Sequence, residues 1–373
     1  MSLKTCRFTA SGSDTSQVAE VISQALSGED SDLTILFSTR DCDLPALEKE
    51  LRSVLQGPVL GCTTAGEIGP DGFQQGTVVG VTLKGELDVT VVPIPSLQNL
   101  DSRALSAVRQ QCRQHTETCP DGWSSFGVVL IDGLSGAEER LMASLHSILP
   151  DIPLVGGSAG DDLCFEQTGV WLEGRFQTDA AVLAIINTPL PWSLIKTQHI
   201  CERPQIMVIT EAAPDRRIVF EIDGMPAADA YAARVGVPIE ALGPDIFSRY
   251  PMVLRIGDEV FVRSIQRAQP DKSLVFFCAI EEGLVLSLGS GKDLLADWDR
   301  CLTDAQQAVG GASVLIGFDC ILRRLELRAR DQFEAAKVIT QRHNLIGFHT
   351  YGEQRGGVHV NQTFTGVALG VKA

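Results

Sequence analysis

The sequence predicts an α/β protein with mixed, largely antiparallel sheets flanked by helices. Repeated strand-helix-strand-loop-strand units build it, in two domains. Three observations carry this expectation. A short loop phrase occurs three times, as GCTTAGE at 61–67, GGSAGD at 156–161 and GFHTYGE at 347–353. Each copy follows an apolar run and lies at a near-constant distance from an earlier polar residue: Ser38 to Gly66 is 28 residues, Asp132 to Gly160 is 28, and Asp319 to Gly352 is 33. Counting forward, Gly66 to Gly80 and Gly352 to Gly366 are both 14 residues. Self-similarity of this kind marks one supersecondary unit used again. The paired glycines permit positive φ and close approach of backbone to a ligand or a neighbouring chain segment.

The elements follow in order. Residues 33–38 read as an apolar strand, and Asp43 caps a helix whose leucines recur at helical spacing over 44–55. A strand runs into the first loop, and 76–83 with 87–93 read as a hairpin about Lys84-Gly85. A helix over 102–118 leads to the second unit. That unit has a strand at 126–131, a helix at 137–149, the loop, a glycine-rich hairpin through Trp171, and a strand at 180–186. NTPLP at 187–191 breaks the periodicity and reads as an edge of the first domain. Beyond it 205–211 pairs with 217–222, and Asp223-Gly224 turns into a helix over 227–235. Strands at 260–265, 274–279 and 284–288, with few helices between them, predict antiparallel pairing. The third unit starts at Ala312. The expected division is 1–219, with two units, and 220–373, with the third. Two domains suit a chain of 373 residues.

Composition narrows the function classes. Hydrophobic residues make up 44% and charged residues 21%, the balance of a soluble globular protein. A net charge of −16 argues against nucleic acid or an anionic membrane as partner. Residues 1–14 contain no apolar leader core, and no apolar run approaches spanning length, so the expected location is cytoplasmic. Ten scattered cysteines suit reduced thiols.

Candidate chemistry clusters near the loops. GGSAG at 156–160 matches a serine nucleophile elbow centred on Ser158, but the residues after it read as loop and strand where that motif needs a helix. Cys62 is a second candidate nucleophile, without a counterpart in the other copies. Cys112, His115 and Cys119 share one helical face and suit zinc, although a structural zinc wants a fourth ligand; a solvated helix end with incidental thiols is the alternative. His146 and His343 read as structural. His199, His349 and His359 remain, and alternation places His359, Asn361 and Thr363 on one strand face. Glu67, Asp161 and Glu353 recur after the loop glycine, either as caps for backbone N–H groups or as holders of an amine or imidazole. Asp319 with Arg323 forms a fold-stabilising ion pair or a fork for a carboxylate.

Four phrases in order, LGCTTAGEI (60–68), EIDGMPAADAYAARVG (221–236), GFDCILRR (317–324) and GFHTYGEQ (347–354), together resemble the FIST sensory domain. Its N-terminal part would cover about 31–219 and its C-terminal part about 220–357. The ending at 347–366 resembles the NosP subgroup, which binds haem and senses nitric oxide. The resemblance implies a non-enzymatic sensor, with or without self-association as a homodimer. Its ligand state would modulate a partner histidine kinase or a cyclic-di-GMP enzyme, either a diguanylate cyclase or a phosphodiesterase. It implies His359 as the iron ligand ahead of His349, in a site drawn from Tyr351, Glu353, Asn361, Cys62, Thr64, Glu67, Asp319 and Arg323. FIST domains also take small ligands such as amino acids, for which Glu67, Arg323 and Glu353 would hold the charged ends.

Overall fold

The computed structural model describes residues 3–28 and 30–371. The first unit contains β1 (Lys4–Ser11), α1 (Thr15–Leu26), β2 (Leu33–Ser38), α2 (Leu44–Val54), β3 (Val59–Thr63), β4 (Glu67–Gly69), β5 (Gly72–Gln74) and β6 (Thr77–Lys84). The second repeats this order: β7 (Asp88–Pro95), α3 (Ser102–Glu117), β8 (Ser124–Ile131), α4 (Glu138–Ile148), β9 (Leu154–Ser158), β10 (Val170–Leu172), β11 (Arg175–Gln177) and β12 (Ala180–Thr188). The third opens with β13 (Trp192–Thr197), and then a lobe intervenes. The lobe holds β14 (Ile200–Ala213), β15 (Ile218–Ile222), β16 (Met225–Pro226), α5 (Ala227–Val235), α6 (Pro244–Arg249) and β17 (Met252–Ile256). It closes with β18 (Glu259–Arg263), β19 (Ile265–Ala268), β20 (Leu274–Phe276) and β21 (Val285–Gly291). The third unit then resumes with α7 (Leu294–Ala308), β22 (Ala312–Cys320), α8 (Ile321–Ala329), α9 (Phe333–Arg342) and β23 (Leu345–Thr350). It ends with β24 (Glu353–Arg355), β25 (Val358–Val360) and β26 (Phe364–Gly370).

Local chemistry repeats with the topology. The first helix of every unit is capped by an aspartate: Asp14 accepts from Gln17 N, Asp101 from Ala104 N and Asp293 from Ala296 N. The middle strands, β2, β12 and β22, are apolar almost throughout because both of their faces are covered.

Each unit builds a six-stranded sheet with one parallel pair, β2/β3, β8/β9 or β22/β23, in otherwise antiparallel surroundings. No unit completes its own sheet. The hairpin β4–β5 of the first unit adds to β23 of the third, β10–β11 of the second adds to β3 of the first, and β24–β25 of the third adds to β9 of the second. The units are therefore interlocked in a ring. Their inner faces share one core, in which Phe37 packs 4.6 Å from Phe348 and 6.4 Å from Phe318, ring centre to ring centre.

The lobe is antiparallel, with strand order β18-β17-β21-β14-β15-β20-β19, and has its own core around Met207, Tyr231, Phe247 and Leu286. Its two ends touch. Ile200 pairs with Gly291, and Lys292 N donates to His199 O at 2.9 Å.

The third unit opens earlier than the expected Ala312, with β13 at Trp192, because the lobe is inserted between β13 and α7 and leaves Ala312 as the start of the parallel pair. The paired strands around 205–222 form as the sequence predicts. The hairpin expected at 76–93 does not form. β6 pairs with β1 and β2, whereas β7 pairs with β12 in the next sheet, so Lys84-Gly85 lies in the connection between two units. Alternating polarity identified both strands, but their partners lie far off in sequence.

Candidate ligand-binding site

The three glycine bends meet, and they bond to one another through backbone. Ala65 N donates to His349 O, His349 N to Gly66 O, Gly160 N to Thr63 O and Ser158 N to Gly352 O. A Cβ on Gly160 would stand 2.7 Å from Ala65 N, so the junction of the bends is packed backbone and offers no room for a ligand.

The buried glutamates in these bends hold strands. Glu67 accepts from Thr77 N and Oγ1 at the start of β6 and touches Thr64 Oγ1. Glu353 accepts from Thr363 N and Oγ1 just before β26 and touches Thr350 Oγ1. Burial pushes their carboxyls up to about 7 and about 8, against the opposing pull of these hydrogen bonds. Asp161 is not their counterpart. Glu67 registers with Phe348 and Glu353 with Gly157, but the matching position of the second unit is Val170, opposite Cys62. There Asp132 takes over, accepting from Asp179 N before β12 and from Thr168 Oγ1. Asp161 instead accepts from Phe165 N, Glu166 N and Gln167 N, and from the Tyr351 hydroxyl. It thereby fixes a loop in which Asp162, Leu163 and Phe165 all have positive φ.

Other sequence candidates also fall into structural roles. Cys62 is fully buried in the shared core, which drives its thiol well above the ordinary range. Ser158 is buried inside β9, where it accepts from Gln354 Nε2 at 2.9 Å, so it forms no exposed elbow. Cys112 is buried, His115 Nε2 lies 3.1 Å from Asp88 O, and Cys119 meets Ser125. Among the described residues no three His, Cys, Asp or Glu side chains gather as a metal site, so the helical face read for zinc is not assembled into one. His343 lies between Gln306 and Asp299, and His199 is 2.7 Å from Glu326.

One place differs. The exchanged hairpins carry a cross-strand pair at matching positions: Ile68 with Phe73, Trp171 with Phe176, and Gln354 with His359. Two are apolar, as burial demands, and the third is polar and buried all the same. Gln354 Nε2 donates to Ser158 Oγ and to His359 Nδ1, which leaves His359 Nε2 as an N–H with no acceptor. Asn361 Oδ1 and Nδ2, Gln354 Oε1 and Gln362 Oε1 likewise lack partners. The second unit brings Glu138 and Glu139 from the start of α4, and the lobe brings Arg217, Arg263 and Ser264. Arg217 bonds Glu138 at 2.7 Å and Glu139 at 2.6 Å, and it donates to Phe277 O at 2.7 Å. Ser264 Oγ and Arg263 Nε are buried without partners. Burial keeps His359 below its ordinary range, opposed by the charges of Glu139 and Glu138. A buried polar group left without any partner costs about 1–3 kcal/mol, and seven atoms here have no partner within the protein, which makes this cluster the candidate for contact with a small polar molecule.

Two clefts open where the lobe meets the body, and Phe277 and Gln266 line both, while Gln354, His359 and Asn361 line neither. One, of about 250 Å³, is apolar, with Phe165, Phe247 and Leu322 in its wall. The other, of about 230 Å³, exposes Arg217 and Ser135. Haem fits the His359 cluster poorly. A Cβ on Gly352 would stand 2.1 Å from His359 Cε1 and 2.6 Å from Nε2, so backbone lies against the edge that would face iron. The neighbours are amides and charges, where a macrocycle wants an apolar slot.

Tyr351, His349, Asp319 and Arg323 do not join this cluster. Tyr351 donates to Asp161 and accepts from Leu163 N at 2.7 Å. His349 Nδ1 lies 3.2 Å from Asp319 Oδ2, and Arg323 Nε donates to Asp319 Oδ1 at 2.5 Å. The Gln354–His359 pair was legible only in part from sequence: His359 and Asn361 stood out, but Gln354 and the lobe residues did not. The signal for Gln354 is the two apolar hairpins, which only the register aligns.

The architecture is that of a three-unit α/β body with a buried polar side-chain cluster under an inserted lobe. The FIST N domain profile matches residues 32–225 and the FIST C domain profile residues 227–355, so the chain belongs to the FIST family, whose domains are sensory modules of signal transduction. No curated protein matches the chain.

Proposed function

We propose that this FIST protein senses a small polar ligand at the junction of body and lobe, and that it performs no turnover. The observation that carries the reading is the buried Gln354–His359 pair, where both sister hairpins are apolar. The ligand supplies acceptors to His359 Nε2 and Asn361 Nδ2 and donors to Asn361 Oδ1 and Gln354 Oε1. Glu139 Oε1 also accepts from Ala279 N of the lobe at 2.6 Å, so body and lobe are clasped beside the site. Occupancy changes the clasp, and a partner histidine kinase or cyclic-di-GMP enzyme reads the change. A cytoplasmic location fits such a partner. Among the described residues no helix is long and apolar enough to cross a membrane.

The test is a thermal-shift screen of polar metabolites, amino acids included, on wild type, His359→Ala and Asn361→Ala. A hit should raise the wild-type Tm by several degrees and lose at least tenfold in affinity in either variant. Hits that bind both variants as tightly as wild type would sink the reading. The second reading, haem-based nitric oxide sensing, follows the likeness of residues 347–366 to the haem-binding subgroup and requires His359 to move its ring proton so that Nε2 offers a lone pair. Reconstituted protein should then show a Soret band that changes in His359→Ala, and a colourless product removes it.

A further inference from the structure

A second group of orphaned atoms lies on the other side of the third unit. Arg323 is fully buried on α8. Its Nε is used by Asp319, yet Nη1 and Nη2 have no acceptor. The guanidinium lies over the Trp298 ring, 5.3 Å from its centre, and the Trp298 Nε1 donor is also buried without a partner. The opposite oxygen of Asp319 faces His349 Nδ1, so one carboxylate ties Arg323 and His349 side by side. His349 Nε2 is unpartnered as well. Phe73 closes the group, with its ring 4.7 Å from His349 and 6.0 Å from Trp298.

Five N–H bonds of Arg323 and Trp298 are thus buried close together without an acceptor, a combination that favours an anion. Charge sets a further condition. Asp319 and Arg323 already neutralise each other, and an added anion alone would leave an uncompensated buried charge. His349 Nδ1 lies 3.2 Å from Asp319 Oδ2 with neither atom in a well-formed hydrogen bond, and the tautomer with its proton on Nδ1, facing that carboxylate, keeps a lone pair on Nε2 able to take a second proton. The charged groups around this ring are Asp319 on β22 and Arg323 and Arg324 on α8, and β5 presents Phe73. We propose that Arg323, Trp298 and His349 form an interior site for one small monovalent anion, a carboxylate or a halide, taken up with one proton on His349 Nε2.

The probes are sodium formate against sodium sulfate at equal ionic strength, and bromide in crystals. Formate should raise the wild-type Tm by about 2 °C or more, and by more at pH 6 than at pH 8. Bromide should give an anomalous peak in contact with the Arg323 Nη atoms. Trp298→Phe keeps the ring and removes one donor, and Arg323→Lys removes the fork; both should shrink the formate shift. Equal melting in both salts, an undiminished shift in Trp298→Phe, a water at the locus, or bromide peaks confined to the surface (an adventitious ion only) would each overturn the proposal. The bromide readout needs no variant. His359→Ala should leave the formate response intact, so failure here is distinct from failure of the His359 site.

Discussion

At the scale of single residues, identical carboxylates were ambiguous in sequence and are separated by what they hold. Glu67 and Glu353 accept from the first residues of the return strand, and Asp132 does the same from a different strand end. A fully buried Glu353 raised to about 8 has a pH consequence. Its folded value lies above the ordinary 4.5, so the folded state binds its proton more tightly than the unfolded chain. The associated stability is complete below about pH 4.5 and is lost as pH rises through about 8, with Glu67 adding an earlier loss near 7. Glu353→Gln keeps an acceptor for Thr363 and gives Thr350 a donor. Wild type should lose roughly 4 kcal/mol between pH 6 and pH 9 in denaturant titrations, and the variant should lose only the roughly 1 kcal/mol that belongs to Glu67. Parallel pH profiles would show that the carboxyl does not titrate in this range.

Among elements, the exchanged hairpins provide an internal comparison that few folds offer. The same two positions carry Ile68/Phe73 and Trp171/Phe176 where stability alone governs, and Gln354/His359 in the third copy. Replacing Gln354 by Ile and His359 by Phe removes buried polar groups that lack partners and restores the apolar pair. The double variant should be more stable by about 1–3 kcal/mol and should lose the ligand-dependent thermal shift. A destabilised variant would mean that the polar pair is fully satisfied, by water or otherwise, without a ligand. The glycine-acid bends were visible in sequence because glycine spacing is local information. Their hydrogen-bonding to one another was not, since Ala65 and His349 are far apart in the chain. The same limit made 76–93 look like a hairpin and Asp161 look like Glu67: local pattern identified each piece, and long-range register decided its role.

For the whole molecule, the ring of exchanged hairpins and the touching ends of the lobe give opposite expectations for two cuts. A break after residue 225, where the two family profiles adjoin, strands β13 away from β26 and β4–β5 away from β23, and it takes β24–β25 from β9. Two of the three body sheets then lose strands at once, and the lobe sheet is cut between β14 and β21 and between β15 and β20, so residues 1–225 alone should stay aggregated or unfolded and recover only on co-expression with 226–373. Excising 200–291 and joining His199 to Lys292 through a short glycine linker leaves every strand of the three body sheets in place. The excised protein should keep a cooperative thermal transition and its circular dichroism of mixed helix and sheet. It should not respond to the ligand of the full chain, because Arg217, Arg263 and Ser264 leave with the lobe. If residues 1–225 fold alone while the excised body does not, cohesion resides in the sequential halves and the interlocked ring is not what holds the molecule together.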